Sequence, residues 1–382
     1  MHRTTLLLAV AIGLWWPTPA AAQRQERQLD IRGFGGWSVS KTNRNEFLGS
    51  DEDGEYRRSS FALNLSTPIA PRIQVAAQLL WQSVGDEDVA NLDYAFVDWE
   101  VARNLHLRLG KAKHPFGLYS EVAGLGTVRP FLTLPGSVYG PVPIVSKSYR
   151  GVGLRGNIPL GDWAAQFDLY GGGIDYEQEE SALSLVAKAQ IVTGEAIPFE
   201  AEHVIGGHLG IKTPITGLRV GASLYSGLPE KGISPVFDAT RRRFVVGGVQ
   251  AEFLTDRLWL RSEAAWIKDK VPFLSDRERA WYLETGLFVT DRWQLAAGYN
   301  RISVDVSNLP FPVPEDITHH DEWSVGVNHW VTPELALKAS FHAVSGNLLA
   351  NLSDPELQQT LLTGRSPALT TRLLQAGVQF SF

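Results

Sequence analysis

The sequence contains no cysteine and one methionine, and only 20% of its 382 residues are charged. The missing thiols exclude a disulfide framework and thiolate chemistry. Long apolar runs are scarce too. The clearest, Leu6–Trp16, falls short of the roughly 20 apolar residues that a membrane-spanning helix needs. No later stretch reaches that length, so helical spanning is excluded for the rest of the chain. There is no linker, no low-complexity tract, and no fixed period of the kind that marks a repeat solenoid. The net charge of −6 gives no reason to expect a nucleic-acid partner.

What the first residues do contain sets a compartment. Met1-His2-Arg3 is a short positive start, Pro17 and Pro19 break the apolar run, and Ala20-Ala21-Ala22 offers a small-residue cleavage site. This pattern is that of a secretory signal peptide over residues 1–22. Residues 23–382 then form one exported unit.

Periodicity carries the fold. Strict alternation of apolar and polar residues marks Leu29–Val39, Phe61–Leu65, Ile73–Trp81, Ala95–Val101, Leu105–Leu109, Tyr149–Asn157, Trp163–Leu169 and Ile205–Ile211. It continues in Leu218–Leu224, Val245–Phe253, Leu258–Trp266, Trp281–Val289, Trp293–Tyr299, Trp323–Val331, Leu335–Ala343 and Leu374–Phe382. Tight turns such as Pro68–Pro71, Ala102–Asn104 and Thr332-Pro333 alternate with long connections such as Lys111–Ser148 and Val344–Thr370. Short turns at one rim and long loops at the other predict an all-β chain, a transmembrane antiparallel β-barrel of about 16 strands.

The two faces of each strand agree with this. Leu374, Ala376, Val378, Phe380 and Phe382 share one face of the last segment; Gln375, Gly377, Gln379 and Ser381 share the other. Trp37, Trp81, Trp266, Trp281 and Trp323 fall near the long loops, and Trp99, Trp163, Trp259, Trp293 and Trp330 near the tight turns. Two membrane interfaces would select two such belts. Trp259 and Trp330, however, have the parity of the wet face, as lumenal plugs would.

The connection Lys111–Arg150 stands apart. It holds Pro115, Pro130, Pro135, Pro141 and Pro143, which disfavour a central strand. Lys111, Lys113, Arg129, Lys147 and Arg150 oppose only Glu121, a formal +4 in an acidic chain. Residues 113–148 are expected to fold into the barrel mouth as a constriction bearing Lys111, Lys113, His114, Arg129, Lys147 and Arg150. The lumen parity also holds Arg32, Arg72, Arg108, Arg155, Lys212, Arg219, Arg261 and Lys338. Against them stand Asp30, Asp98, Glu100, Asp168, Glu252, Glu263, Glu284 and Glu322. The walls therefore balance, and the loop supplies the excess positive charge that a confined passage would feel most.

Other chemistry finds little support. Ser340 and His342 share a face, but no acid is fixed beside them by sequence, and no Gly-x-Ser-x-Gly elbow occurs. No catalytic residue is assigned. The pair His319-His320 with Asp321 lacks a metal-site spacing, and no metal or cofactor is expected. Glu177, Glu179, Glu180 and Glu195 make the fourth long connection acidic, and Ser353-Asp354-Pro355-Glu356 predicts a short helix over Asp354–Leu362.

Gly110–Glu121 (GKAKHPFGLYSE), Arg129-Pro130-Phe131, Leu134-Pro135, Val138-Tyr139-Gly140 and Ser148–Gly153 together resemble the phosphate-selective porin O/P family. The aromatic end at Phe382 is similar to the assembly signal of bacterial outer-membrane proteins. The resemblance implies a trimeric, sixteen-stranded porin of a Gram-negative outer membrane, with the third loop as its constriction. The partners it implies are the lipid bilayer, lipopolysaccharide and the outer-membrane assembly machinery. A phosphate specialist would need a dense arginine ladder, whereas these walls are balanced. The expected function is passive diffusion of small hydrophilic solutes with a mild preference for anions, phosphate among them. The alternative is a non-conducting structural or receptor barrel that binds through its outer loops.

Overall fold

A computed structural model of the protein describes residues 29–84, 87–140, 145–175, 200–231, 241–268, 275–307, 313–352 and 354–382. The expected signal peptide, the acidic run Glu177–Glu195, Pro141, Pro143 and Ser353 lie outside the described residues.

Sixteen strands close into one barrel. In chain order they are β1 (Asp30–Thr42), β2 (Ser59–Ala70), β3 (Ile73–Val84), β4 (Glu87–Ala102), β5 (Leu105–Lys113), β6 (Ser148–Leu160), β7 (Trp163–Asp175) and β8 (Glu200–Lys212). The second half comprises β9 (Leu218–Pro229), β10 (Phe244–Leu254), β11 (Leu258–Lys268), β12 (Ser275–Phe288), β13 (Trp293–Ser307), β14 (His319–Thr332), β15 (Leu335–Ser345) and β16 (Thr370–Ser381). Each strand pairs antiparallel with its chain neighbours, and β1 closes on β16 with Trp37 opposite Val378 and Val39 opposite Ala376. Closure removes both sheet edges, which a strand-built structure in lipid requires.

Every segment predicted from alternation falls on a wall strand, most of them lengthened by a few residues at one or both ends. The polarity of the wall is inverted relative to a soluble protein. Leu79, Val152, Leu169, Ile205, Leu224, Val249, Val325 and Leu374 are exposed on the outer face, whereas Gln250, Glu263, Glu284, Asn328, Lys338 and Gln375 are buried inside. An outward apolar band around a polar interior is stable against hydrocarbon and not against water. Trp37, Trp81, Trp266, Trp281 and Trp323 are exposed at one end of this band, Trp99, Trp163 and Trp293 at the other.

Tight turns at the opposite rim from the long loops use left-handed residues, Arg72 at φ 67° and Asn104 at φ 61°, the conformation that closes a short hairpin. At the long-loop rim, Glu46–Phe47 pairs with Ala350–Asn351 in a small separate ribbon. Helix α2 (Asp354–Thr363) buries Leu357 against Ile317 and Leu352. The third connection lies inside the barrel. It carries a short helix α1 (Gly136–Tyr139) and two 3₁₀ turns, Ser120–Val122 and Gly126–Val128. Its Phe116, Tyr119 and Val138 join Tyr149, Tyr170, Ile174, Tyr225, Phe244 and Tyr282 of the wall in one apolar cluster.

Candidate functional site

The third loop is held by polar anchors on the wall strands it crosses. The Gly117 N–H donates to Ser223 Oγ at 3.2 Å and the Ser137 N–H to Asn300 Oδ1 at 3.2 Å. Tyr139 O–H donates to Glu263 Oε1 at 2.6 Å, and Tyr119 O–H donates to Glu284. Asn328 Nδ2 donates to the Pro130 carbonyl at 2.8 Å. Lys338 Nζ donates to the carbonyls of Gly126, at 2.8 Å, and Arg129, at 2.5 Å. Arg261 bridges Glu252 (2.7 Å), the Tyr119 hydroxyl (2.9 Å) and the Val128 carbonyl (2.6 Å). A proline-broken segment has many unpaired backbone groups, and burying it requires partners for them. The buried wall charges Arg261 and Lys338 supply those partners, so both hold the loop instead of facing the passage.

The basic residues of the loop itself are placed differently from the expectation. Arg129 lies inside the loop, donating to the carbonyls of Ala123 (2.9 Å) and Leu132 (2.6 Å). Burial lowers its pKa to about 10, so it stays charged at neutral pH as an internal staple. His114 is fully buried, with Nε2 at 2.5 Å from the Tyr170 hydroxyl and its ring edge-on to Tyr170 and Tyr225. Burial pushes its pKa down to about 3, so it brings no positive charge. Lys111 and Arg150 are directly opposite one another on β5 and β6. Their neighbours Ala112 and Tyr149 belong to the interior cluster, so strand alternation turns Lys111 and Arg150 outward. Lys111 Nζ donates to the Leu92 carbonyl at 2.9 Å. Lys113 pairs with the buried carboxylate of Asp93 at 2.5 Å. Lys147 is half-buried, and its carbonyl accepts the His114 N–H. A count of loop charges could not separate these fates, because Lys111 and Arg150 belong to strand parity and Arg129 to the loop's own fold.

The edge of the loop that stays exposed is Glu121–Gly124, interrupted by a half-buried Ala123. Glu121 reaches the wall strands β5 and β6, pairing with Arg155 and lying 3.7 Å from Arg108. Arg108 also pairs with Asp98 at 2.9 Å, His106 with Asp98 at 2.6 Å, and Arg155 with Asp168 at 2.5 Å. Two wall arginines thus share three carboxylates, Glu121 from the loop across the gap and Asp98 and Asp168 from the adjoining strands. Nothing in the sequence ties Glu121 to Arg108 and Arg155; the pairing depends on how the loop folds.

The remaining wall cations lie nearer the tight turns. Arg32 is exposed and pairs with Asp30 at 3.0 Å. Arg72 is in the β2–β3 turn, not on the wall, and its carbonyl accepts the Glu100 N–H. Arg219 is 65% exposed, sits opposite Lys212 across the β8–β9 pair, and lies 3.9 Å from Glu252.

A buried constellation that sequence reasoning left incomplete also appears. Ser340 Oγ is 2.8 Å from His342 Nε2, and His342 Nδ1 is 2.6 Å from Glu322, which lies across the β14–β15 pair. The missing acid therefore exists, on the neighbouring strand. His320 and Ser324 bond the same carboxylate, and Phe131 of the loop packs on His342 at 5.8 Å. Among the described residues no group of three metal-binding side chains converges.

No family model matches the chain, and no curated protein does. Solved structures do match in fold. The outer membrane channel DcaP of Acinetobacter baumannii covers 94% of this chain and 99% of its own, with a TM-score of 0.63 at 10% identity. An anion-selective porin from Comamonas acidovorans covers 94% and 100%, with a TM-score of 0.58 at 12% identity. A trimer form of OmpT, an outer membrane protein of Vibrio cholerae, covers 93% and 99%, with a TM-score of 0.56 at 11% identity. The barrel has the fold of outer-membrane porins. That likeness extends over nearly the whole of each chain.

Proposed function

We propose that the protein is an outer-membrane porin through which small hydrophilic solutes diffuse passively. The supporting observation is the third loop. Lys338, Arg261, Tyr119 and Tyr139 fix it inside the lumen, while its Glu121–Gly124 edge stays exposed beside Arg108 and Arg155. A channel needs a wetted path, a narrow point and charge at that point; the exposed edge and its ion pairs with the wall support placing that point in this gap. Its ion pairs nearly cancel, so the narrow point discriminates weakly. A mild anion preference, phosphate included, is carried by Lys212 and exposed Arg219 near the tight-turn mouth.

In the same reading, residues 1–22 direct export, the tight turns face the periplasm, and the chain assembles as a homotrimer. Kinship with the phosphate-selective porin O/P family rests on the Gly110–Glu121 motif and its continuation to Gly153. Phe382 addresses the outer-membrane assembly machinery. Lipopolysaccharide is the expected neighbour of the exposed outward basic residues Lys268, Arg277 and Arg279 at the long-loop rim. The outer face presents the fold to lipid, and no catalytic role is assigned.

Reconstitution in planar bilayers tests the proposal. Stable conductance steps in KCl, with a reversal potential of slight anion preference across a salt gradient, are the expected result. A second reading, a closed barrel, is favoured by the contact of Leu125 with Phe34, Ala62 and Leu80 on β1–β3, since it places the loop against a further part of the wall. Silence from folded, inserted protein would establish that reading.

A further inference from the structure

Three aromatic side chains break the rule that the other tryptophans obey. Trp259, Phe288 and Trp330 have inward parity and are half-buried inside the barrel. Trp259 lies 5.3 Å from Phe288 and 6.2 Å from Trp330, and Phe288 lies 6.2 Å from Trp330, so the three rings form one closed triangle. They sit on the tight-turn side of the third loop. Arg261, two residues along β11 from Trp259, reaches the Val128 carbonyl of the loop, and its guanidinium also lies 5.5 Å over the Trp259 ring.

A cluster of large aromatic faces on a wetted wall is costly unless something covers it, and contiguous exposed apolar surface inside a passage marks a binding position. The charge beside it is basic. Glu252 of β10 is opposite Arg261 and bonded to it at 2.7 Å. On the far side of Glu252, Arg219 is its direct cross-strand partner yet only 3.9 Å contact is made, and its side chain remains 65% exposed. Lys212, exposed, is the next residue round the wall, opposite Arg219. Trp259 of β11 is thus two strands from Arg219 and three from Lys212, about 10 and 14 Å at the usual strand spacing, a gap that the long cationic side chains and a ring bearing one acidic group share between them.

We infer that this shelf is a binding site for aromatic carboxylates, with the ring on Trp259, Phe288 and Trp330 and the carboxylate toward Arg219 and Lys212. The inference rests on the diffusion-channel reading and narrows its solute class. Stacking on aromatic faces distinguishes such a solute from an aliphatic acid of equal charge. The cations distinguish it from a neutral aromatic.

The test is single-channel recording of the full chain in KCl with benzoate or acetate added. Benzoate is expected to block reversibly at a concentration about three- to tenfold below that of acetate. Trp259→Ala should remove that difference, and the milder Trp330→Leu should reduce it. Arg219→Gln should weaken block by both anions. Equal block by benzoate and acetate in the unmodified protein, with KCl steps present, overturns the shelf and leaves the channel reading standing. So does benzoate block that survives Trp259→Ala unchanged. Absence of KCl steps overturns both.

Discussion

Glu121 of the third loop pairs with Arg155 of β6, across the lumen from the point where Lys338 of β15 holds the same loop by the Gly126 and Arg129 carbonyls. The loop is thereby tied on two sides, by a buried cation on one and an exposed ion pair on the other.

In the proposed channel the exposed tie would tune ion discrimination. Arg108 and Arg155 face Asp98, Asp168 and Glu121, two positive groups against three negative, a formal −1. Glu121→Gln brings that to zero while Asp98 and Asp168 keep both arginines in place. The anion-to-cation permeability ratio should rise by about two- to fivefold, because charge in a narrow, partly desolvated passage acts at reduced screening. Reversal potentials across a KCl gradient measure it; an unchanged ratio would place the permeation path elsewhere.

The buried tie sets loop stability. Lys338→Met keeps the volume of the side chain but removes the donor for two buried carbonyls. Each unsatisfied group costs about 1–3 kcal/mol, so the thermal unfolding midpoint should fall. Open-channel noise should rise as the Gly126–Arg129 segment loosens. A variant with the original midpoint and quiet steps would show that the loop is held without this contact.

Gly117 offers a steric counterpart. It has φ 68°, and a Cβ there would come within 2.1 Å of Glu263 Oε2 and 2.4 Å of the Tyr139 hydroxyl. Gly117→Ala therefore combines a left-handed backbone with a clash against the Tyr139–Glu263 anchor, at a cost of about 1–3 kcal/mol. Lower thermal stability with increased proteolytic cleavage in the loop is expected, whereas a control Gly161→Ala, at a turn with open space around it, should retain the loop's protection.

How much of this was readable before the fold was known follows from the range of the interactions. Wall strands depend on period-two alternation, a local property, so Leu374–Phe382 or Leu335–Ala343 could be recognised residue by residue. The inward parity of Trp259 and Trp330 was legible for the same reason. Charge placement in the third loop was not. Arg129 satisfies carbonyls three and six residues away, His114 is neutralised by rings from β7 and β9, and Glu121 finds Arg155 34 residues on. Those outcomes depend on the path of a proline-rich loop, which has no periodic signal. Glu322 joined Ser340 and His342 only through the β14–β15 register.

That last arrangement makes a chemical prediction. Ser340, His342 and Glu322 have the order of a hydrolytic triad, but all three are buried and Phe131 covers the histidine. His342 Nδ1 also contacts Ser324, and Glu322 is shared with His320. Burial of this kind keeps a substrate from the serine hydroxyl. A fluorophosphonate probe should leave the folded protein unlabelled. Labelling that disappears in Ser340→Ala would instead identify a hydrolase.

Acid should weaken the barrel through His114. An ordinary histidine titrates near 6.5, whereas burial, aided by nearby His208, brings the pKa of His114 to about 3. Between those values the unfolded chain binds a proton that the folded chain refuses, so stability rises with pH through this window. Above about pH 6.5 the group contributes no pH dependence; as the pH falls toward 3 the cost grows, reaching about 3 kcal/mol at pH 4.5. His114→Phe keeps a ring among Phe116, Tyr170 and Tyr225 but loses the bond to the Tyr170 hydroxyl. The variant should be less stable than the parent at pH 7 by about 1 kcal/mol, yet lose less stability between pH 7 and pH 4.5. Thermal unfolding followed by circular dichroism at the two pH values gives both differences. Parallel acid losses in parent and variant would mean that other groups, not His114, govern the response.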